Sequence, residues 1–311
     1  MRNKLIKTIS LVYLALVIQG CGGGNSSSTG DTPTLPQAKQ DIYVLGSSSL
    51  EYINNALTKT ANLNNYNVIN YAKGGEYLYS MCLRIGAFSG TVKFKNTQIV
   101  LNTKNYLDAD WPTDFYLKPF DVKINNNLGQ IGIDQNGYYF IPNQVNDFYV
   151  DKNIFYPIQS LFPKVKNSSI FIVNLGKNNL LGNDPTLSTT QYVIEKSNQC
   201  ISWIDKNLTS NILVIGFYTS TKPSLNLIDK VNFVNNNLSN TYKNQYFNIK
   251  SYIEGDQIWK DTTITPNTFD LQNQKNQALP MSLSKDEVHV NEKTNLALSK
   301  KLIHFINNNF K

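Results

Sequence analysis

The sequence predicts a three-layer α/β/α sandwich around a parallel sheet, interrupted once by a small inserted antiparallel β domain. Three observations predict it. Several short apolar runs are almost continuously hydrophobic, as strands buried on both faces are. Between them, apolar residues recur at helical spacing. In one central stretch the period switches to two, with Asn, Gly and Pro at the turns.

Taken in order, the first strand is Asp41-Ile-Tyr-Val-Leu-Gly46, and Leu50, Ile53 and Leu57 mark the helix after it. Tyr-Asn-Val-Ile-Asn-Tyr at 66–71 is the second strand. The stretch 84–150 then alternates polar and apolar residues in four segments, starting at Gly90, Thr97, Phe120 and Gly137, and reads as a separable β module. Strands at 168–175 and 211–218 resume the parallel pattern. Leu227, Val231, Val234, Leu238 and Tyr242 lie on one face of a helix, and Leu298, Leu302, Ile303 and Ile306 on one face of the last. Ligands of such a βαβ sheet bind beyond the carboxyl ends of the strands.

The first forty residues stand apart from this fold. Arg2, Lys4 and Lys7 precede the apolar run Ile9–Ile18, and Gly20-Cys21 follows. A basic end, an apolar run too short to span a bilayer and a cysteine after a small residue read as a lipoprotein export signal over 1–20, with Cys21 acylated. The expected location is the cell envelope, anchored to a membrane, and the outer membrane in a Gram-negative host. Residues 21–39 are a Gly/Ser/Thr/Pro tether with a span of about 25 Å as a coil. The leader carries three basic and no acidic side chains, so its removal lowers the formal charge from +7 to +4. The remaining Lys and Arg are scattered among asparagines with no basic face, so nucleic acid is not an expected partner. Cys82 and Cys200 remain; two buried thiols are the default expectation and one disulfide the alternative. No Cys/His group has metal-ligand spacing, and no cofactor is expected.

Only two histidines are present, His289 and His304. His304 falls in the terminal helix among lysines and asparagines and reads as a surface residue. His289 ends Asp286-Glu-Val-His289 on a non-helical stretch, an arrangement that suits the orienter and base of a serine triad. A serine could be activated at Gly46-Ser47-Ser48-Ser49, where the first strand runs into a helix whose free N–H groups would stabilise an oxyanion. Gly74-Gly75 closes the second strand, and Gly176-Lys177-Asn178-Asn179 the third.

These four blocks, in this order, resemble those of the SGNH (GDSL-type) esterases and lipases over roughly 40–80 and 165–311, which puts the hydrolase domain at 40–83 and 151–311. The resemblance implies a flavodoxin-like hydrolase fold and an acyl-enzyme mechanism that needs no cofactor. It implies Ser48 as nucleophile, Asp286 as orienter and His289 as base. The oxyanion donors it implies are the N–H groups of Ser48 and Gly75 and the side-chain amide of Asn178. The chain departs from the family pattern at Ser47, where Asp is usual, and at Asn179, again in place of Asp. Ser47 and Ser49 therefore stay open as competing nucleophiles. The expected substrate is a carboxylic ester on an acylated glycan or lipid, first an acetyl ester of envelope or extracellular polysaccharide. A lipase or aryl esterase is the alternative within the family. Two further alternatives are an inactive glycan-binding lipoprotein on the same scaffold and an adhesive envelope protein. Trp111 and Tyr116, in the aromatic cluster of the insertion, are candidate sugar-stacking residues, against the plainer reading that such aromatics fill the small β core.

Overall fold

The computed structural model describes residues 39–143 and 146–310. The expected leader, Cys21 and all but the last residue of the tether lie outside the described residues.

The chain begins with β1 (Gln40–Gly46), which turns at once into α1 (Ser48–Tyr52) and α2 (Asn54–Asn62). β2 (Tyr66–Asn70) and α3 (Leu78–Arg84) follow. After the insertion come β11 (Ile170–Asn174), α4 (Lys177–Leu181), α5 (Thr190–Asn207), β12 (Ile212–Ile215), α6 (Leu225–Tyr242) and β13 (Tyr246–Phe247). The chain closes with α7 (Ile249–Glu254), α8 (Gln257–Thr262), α9 (Thr268–Lys275) and α10 (Glu292–Asn309). The five core strands form one sheet in the order β13-β12-β11-β1-β2, with every neighbouring pair parallel.

Period-two alternation divides the strand side chains between two cores. Ile42, Val44, Ile170, Ile172, Leu213 and Ile215 face α2 and α10, whereas Tyr43, Leu45, Phe171, Val173 and Val214 face α3, α5 and α6. The α/β class is therefore as expected, with helices on both faces. β12 ends earlier than expected, because Asn235 of α6 takes over the backbone of Phe217: its Oδ1 accepts the N–H at 2.8 Å and its Nδ2 donates to the carbonyl at 2.8 Å. The sheet ladder loses those groups to a side chain, and no buried group is left orphaned by it.

Cys82 of α3 and Cys200 of α5 are disulfide-bonded across 118 residues. The expected pair of free thiols is thus corrected. Both cysteines fall on the inward faces of their helices in the same core, which helical periodicity alone does not reveal. Closing a loop of that length is worth about 4–5 kcal/mol on a chain-entropy account.

The insertion is a closed six-stranded antiparallel barrel in the order β10-β3-β5-β8-β7-β6. Its strands are β3 (Thr91–Phe94), β5 (Asn105–Ala109), β6 (Phe120–Ile124), β7 (Asn127–Asp134), β8 (Gly137–Pro142) and β10 (Tyr156–Ser160). The short β4 (Gln98–Ile99) and β9 (Phe148–Tyr149) pair as a separate ribbon. β10 pairs with both β3 and β6, so the barrel closes beyond the expected boundary at 150. Between β6 and β7, Asn125 and Asn126 both take positive φ, 46° and 66°. That is the two-residue turn that matches strand twist. Val92, Phe94, Leu107, Val122, Ile131 and Phe140 fill the barrel. Leu83 of α3 also packs into this core, so the barrel and the α/β part share a core residue.

Candidate active site

The carboxyl end of β1 abuts that of β11, with Gly46 opposite Asn174. Gly46 is held there by space: a Cβ would lie 2.9 Å from Leu50 Cδ1 and 3.0 Å from the Asn174 carbonyl. The chain therefore turns sharply through Ser47, and Ser48 becomes the first residue of α1, with no carbonyl one turn back to receive its N–H.

The three consecutive serines point to three places. Ser47 is fully buried, and its hydroxyl has no partner among the described residues. The Ser49 hydroxyl accepts from Lys177 Nζ at 3.0 Å and lies 3.4 Å from the Tyr218 hydroxyl. Only Ser48, 8% exposed, meets a histidine: its Oγ is 2.8 Å from His289 Nε2.

His289 Nδ1 in turn sits 2.9 and 3.0 Å from the two Asp286 oxygens. With Asp286 ionised, the hydrogen-bond network assigns the proton to Nδ1 and leaves Nε2 to accept from Ser48. The Asp-x-x-His spacing also closes a turn, since Asp286 Oδ1 accepts the N–H groups of Val288 and His289, each at 2.8 Å. Partial burial would raise the Asp286 pKa, but these two N–H groups and the imidazole draw it down to about 2. The segment is pinned further: Lys285 N–H donates to the His289 carbonyl at 2.8 Å, and Asn291, two residues on, caps α10 by accepting from Thr294 N–H at 3.0 Å. Tyr52 of α1 packs edge-on against the imidazole, 4.6 Å between centroids.

The loop after β2 runs beside this turn. Tyr71 N–H donates to the Val44 carbonyl and Lys73 N–H to the Gly46 carbonyl, at 2.8 and 2.9 Å. Glu51 Oε2 accepts Gly74 N–H at 2.7 Å, and a Cβ on Gly74 would lie 3.4 Å from Ser48 Cβ. Gly75 is left-handed, φ 79°, with the Tyr116 ring against it: a Cβ there would come within 2.3 Å of that ring. Only glycine satisfies both demands. Asn178 Nδ2 donates to the Glu76 carbonyl at 2.9 Å, which leaves the second amide hydrogen uncommitted by that contact and brings Asn178 next to Gly75. Asn179 is buried and structural: its Oδ1 accepts Leu78 N–H at 3.0 Å and its Nδ2 donates to the Leu187 carbonyl at 3.1 Å. A neutral amide does there what needs both a donor and an acceptor.

All five expected site residues of the hydrolase part thus meet at one sheet edge. Compared with known proteins by sequence, the chain matches no family model and no curated protein. Geometry alone therefore bears on function.

Two aromatic candidates separate. Trp111 is 4% exposed and packs on Tyr138 at 5.3 Å, so it belongs to the barrel core and cannot stack on a ligand; an aromatic beside carboxylates looks the same in sequence whether it faces a core or a groove. Tyr116 is 59% exposed, with Phe115 beside it at 73%. His304 lies on the exposed face of α10, its ring bonded to Asn308. Among the described residues no cluster of three metal-ligating side chains occurs.

The sequence reading missed three supports. Arg84 donates to both oxygens of buried Glu76, at 2.7 and 2.6 Å, and to the Tyr71 carbonyl at 2.9 Å. Asp114 of the barrel accepts Tyr77 N–H at 2.7 Å and Tyr116 N–H at 3.0 Å, stapling the aromatic loop to the loop that carries Gly75. Burial pushes the Asp114 carboxyl up, against the pull of these N–H groups. Lys177, the third, is buried beside the serine turn.

Proposed function

We propose that the chain is a serine esterase of SGNH type, with a flavodoxin-like hydrolase domain, that cleaves carboxylic esters through an acyl-enzyme. The observation that carries this reading is the continuous hydrogen-bonded chain Ser48–His289–Asp286 at the carboxyl edge of a parallel sheet. As Ser48 Oγ attacks the ester carbonyl, its proton passes to His289 Nε2, and Asp286 steadies the imidazolium. The N–H groups of Ser48 and Gly75 and the Asn178 amide face the developing oxyanion, one such donor being worth about 3–4 kcal/mol. Collapse breaks the ester C–O bond, and the leaving alcohol takes the proton from His289. Water, deprotonated by the same base, then attacks the acyl carbonyl and frees Ser48 and the acid. Incubation with a fluorophosphonate followed by peptide mapping is the direct test: phosphonylation on Ser48 is expected, whereas no labelling, or labelling on Ser49, would sink the reading.

Acetylated polysaccharide is the favoured substrate class, supported by exposed Tyr116 and Phe115 on a loop bonded to the Gly75 segment. Tyr116→Ala is expected to lower turnover of acetylated polymer roughly 5- to 12-fold more than that of a small aryl acetate, in line with about 1–1.5 kcal/mol for one aromatic stacking contact. Equal losses on both would remove the sugar-stacking role.

The Gly20-Cys21 leader supports a membrane-anchored envelope lipoprotein, and a disulfide fits an oxidising compartment. Among the described residues no helix is long and apolar enough to cross a membrane. Fatty-acid labelling of the exported protein should occur and should vanish in Cys21→Ser; an unlabelled wild type would exclude the lipid anchor.

A further inference from the structure

Lys177 is a charged side chain in a place where charge is expensive. It begins α4 directly after Gly176, whose φ of 102° turns the chain inward, and its whole side chain is buried. Its ammonium donates to Ser49 Oγ at 3.0 Å and lies 3.6 Å above the centre of the Tyr218 ring. No carboxylate stands within ion-pair distance of it among the described residues. Other groups around the site are the Asn174 amide of β11 and apolar side chains from α1, β12, α7 and α10, such as Leu50, Ile215, Ile249 and Leu298. The one charged group that acts on it is Asp286, whose carboxylate favours the protonated form. Tyr218 stays a phenol, its pKa pushed up to about 12 by burial.

A buried lysine on a serine hydroxyl with a tyrosine nearby could itself be a nucleophile-and-base pair. The space decides against that. The cavity beside Ser49, Lys177 and Tyr218 is about 20 Å³, the room of a single water, and no ester can reach Ser49 there. A cation buried without a carboxylate partner is costly, and here it is spent on the residue next to the Ser48 nucleophile.

We propose that Lys177 is a positioning residue for the esterase site: through Ser49 and Tyr218 its ammonium locks the serine turn so that Ser48 faces His289, and it places a positive charge behind the developing oxyanion. This rests on the esterase reading above. The neutral amine keeps the contact to Ser49 only as a weak donor and loses the charge, so the active form is the protonated one. Burial lowers the Lys177 pKa from 10.5 to about 7, with Asp286 opposing the shift. The serine reactivity should therefore fall on the alkaline side of about pH 7. Stability should move the other way. Because the folded value lies below the unfolded one, the unfolded chain binds the proton more tightly from about pH 7 to about pH 10.5, and the contribution of Lys177 to stability rises across that window.

The test is the fluorophosphonate labelling rate from pH 5 to 10 on the full-length protein, its Lys177→Met and Lys177→Arg variants, together with urea unfolding of each. Lys177→Met, close in shape and uncharged, is expected to label roughly 10- to 100-fold more slowly at pH 6 and to lack the alkaline fall. It should be the more stable protein at pH 6, with a gap that narrows toward pH 10. Lys177→Arg, which keeps its charge, should hold its rate above pH 8, where the wild type has lost it. A wild type that labels, with Lys177→Met equally fast at every pH, would overturn the role of Lys177 and leave the esterase reading intact. A Lys177→Arg rate that falls in step with the wild type would also overturn it. A wild type that never labels overturns the esterase reading itself.

Discussion

Alanine at Ser48 or at His289 is expected to lower kcat/KM for an aryl acetate by on the order of 10⁵-fold, and the double variant by little more than either single one. The two side chains share one proton, so removing either removes the whole nucleophilic step. Purified variants assayed side by side give the measurement; multiplicative losses would mean that the two residues act separately. Asp286→Asn should leave more activity than His289→Ala, because the imidazole remains, but in a tautomer no longer enforced by an ionised acceptor. Asp286 itself does not set the acid limit. A folded pKa of about 2, below the ordinary 3.8, keeps it ionised as pH falls, and its contribution to folding is present above about 3.8 and lost only toward 2. Alanine at Ser47 should preserve nucleophilic attack, and alanine at Ser49 should leave Ser48 as the nucleophile but slow it much as Lys177→Met does, because it removes the hydroxyl that Lys177 holds. Asn178→Ala should lower kcat by roughly 10²- to 10³-fold through the oxyanion alone.

The second large effect lies away from the chemistry. Arg84→Met should destabilise the protein by about 3–5 kcal/mol, because it strands a fully buried carboxylate that the guanidinium now grips with two hydrogen bonds. For a domain of this size that is a melting-temperature loss of roughly 10 °C. Burial already holds the Glu76 pKa above its ordinary 4.5 even with Arg84 present. Without Arg84 the folded value rises further. Stability is then retained below about pH 4.5 and lost as pH rises through the folded value, so the deficit of the variant should widen from acid to neutral pH. Glu76→Gln combined with Arg84→Met should recover part of the loss, since no lone charge remains. Calorimetry across pH measures all of this, and a deficit that is flat with pH would show that Glu76 is not left charged. Activity should fall as well, because the Glu76 carbonyl holds Asn178.

What the sequence made legible follows from local chemistry. Two histidines and one Asp-x-x-His turn left few ways to build a base, and Asp286 does bond its own turn as that spacing requires. The parallel strands were legible because both faces are buried, so residues such as Ile170–Val173 are apolar without interruption. Contacts from the insertion to the loop after β2 were not. Asp114 meets Tyr77, and Lys118 N–H meets Glu76, across about forty residues, and no periodicity encodes such pairings. β5 and β7, Asn-Tyr-Leu-Asp-Ala and Asn-Leu-Gly-Gln-Ile-Gly-Ile-Asp, are rich in residues that strands disfavour; the barrel forms because neighbouring strands complete their ladders. The choice among three serines depends on one turn of backbone, which only coordinates resolve.

The bond between Cys82 and Cys200 encircles the whole barrel, whose strands run from Thr91 to Ser160. It makes the middle of the chain a covalent ring, with the Ser48 segment leaving at one side and the His289 segment at the other. A single cut by a protease in any barrel loop therefore opens the ring without parting the molecule. The Ser48 and His289 segments then lie on two peptides that the disulfide still joins. Every loop between β3 and β10 can thus be cut while the two ends of the chain stay covalently tied.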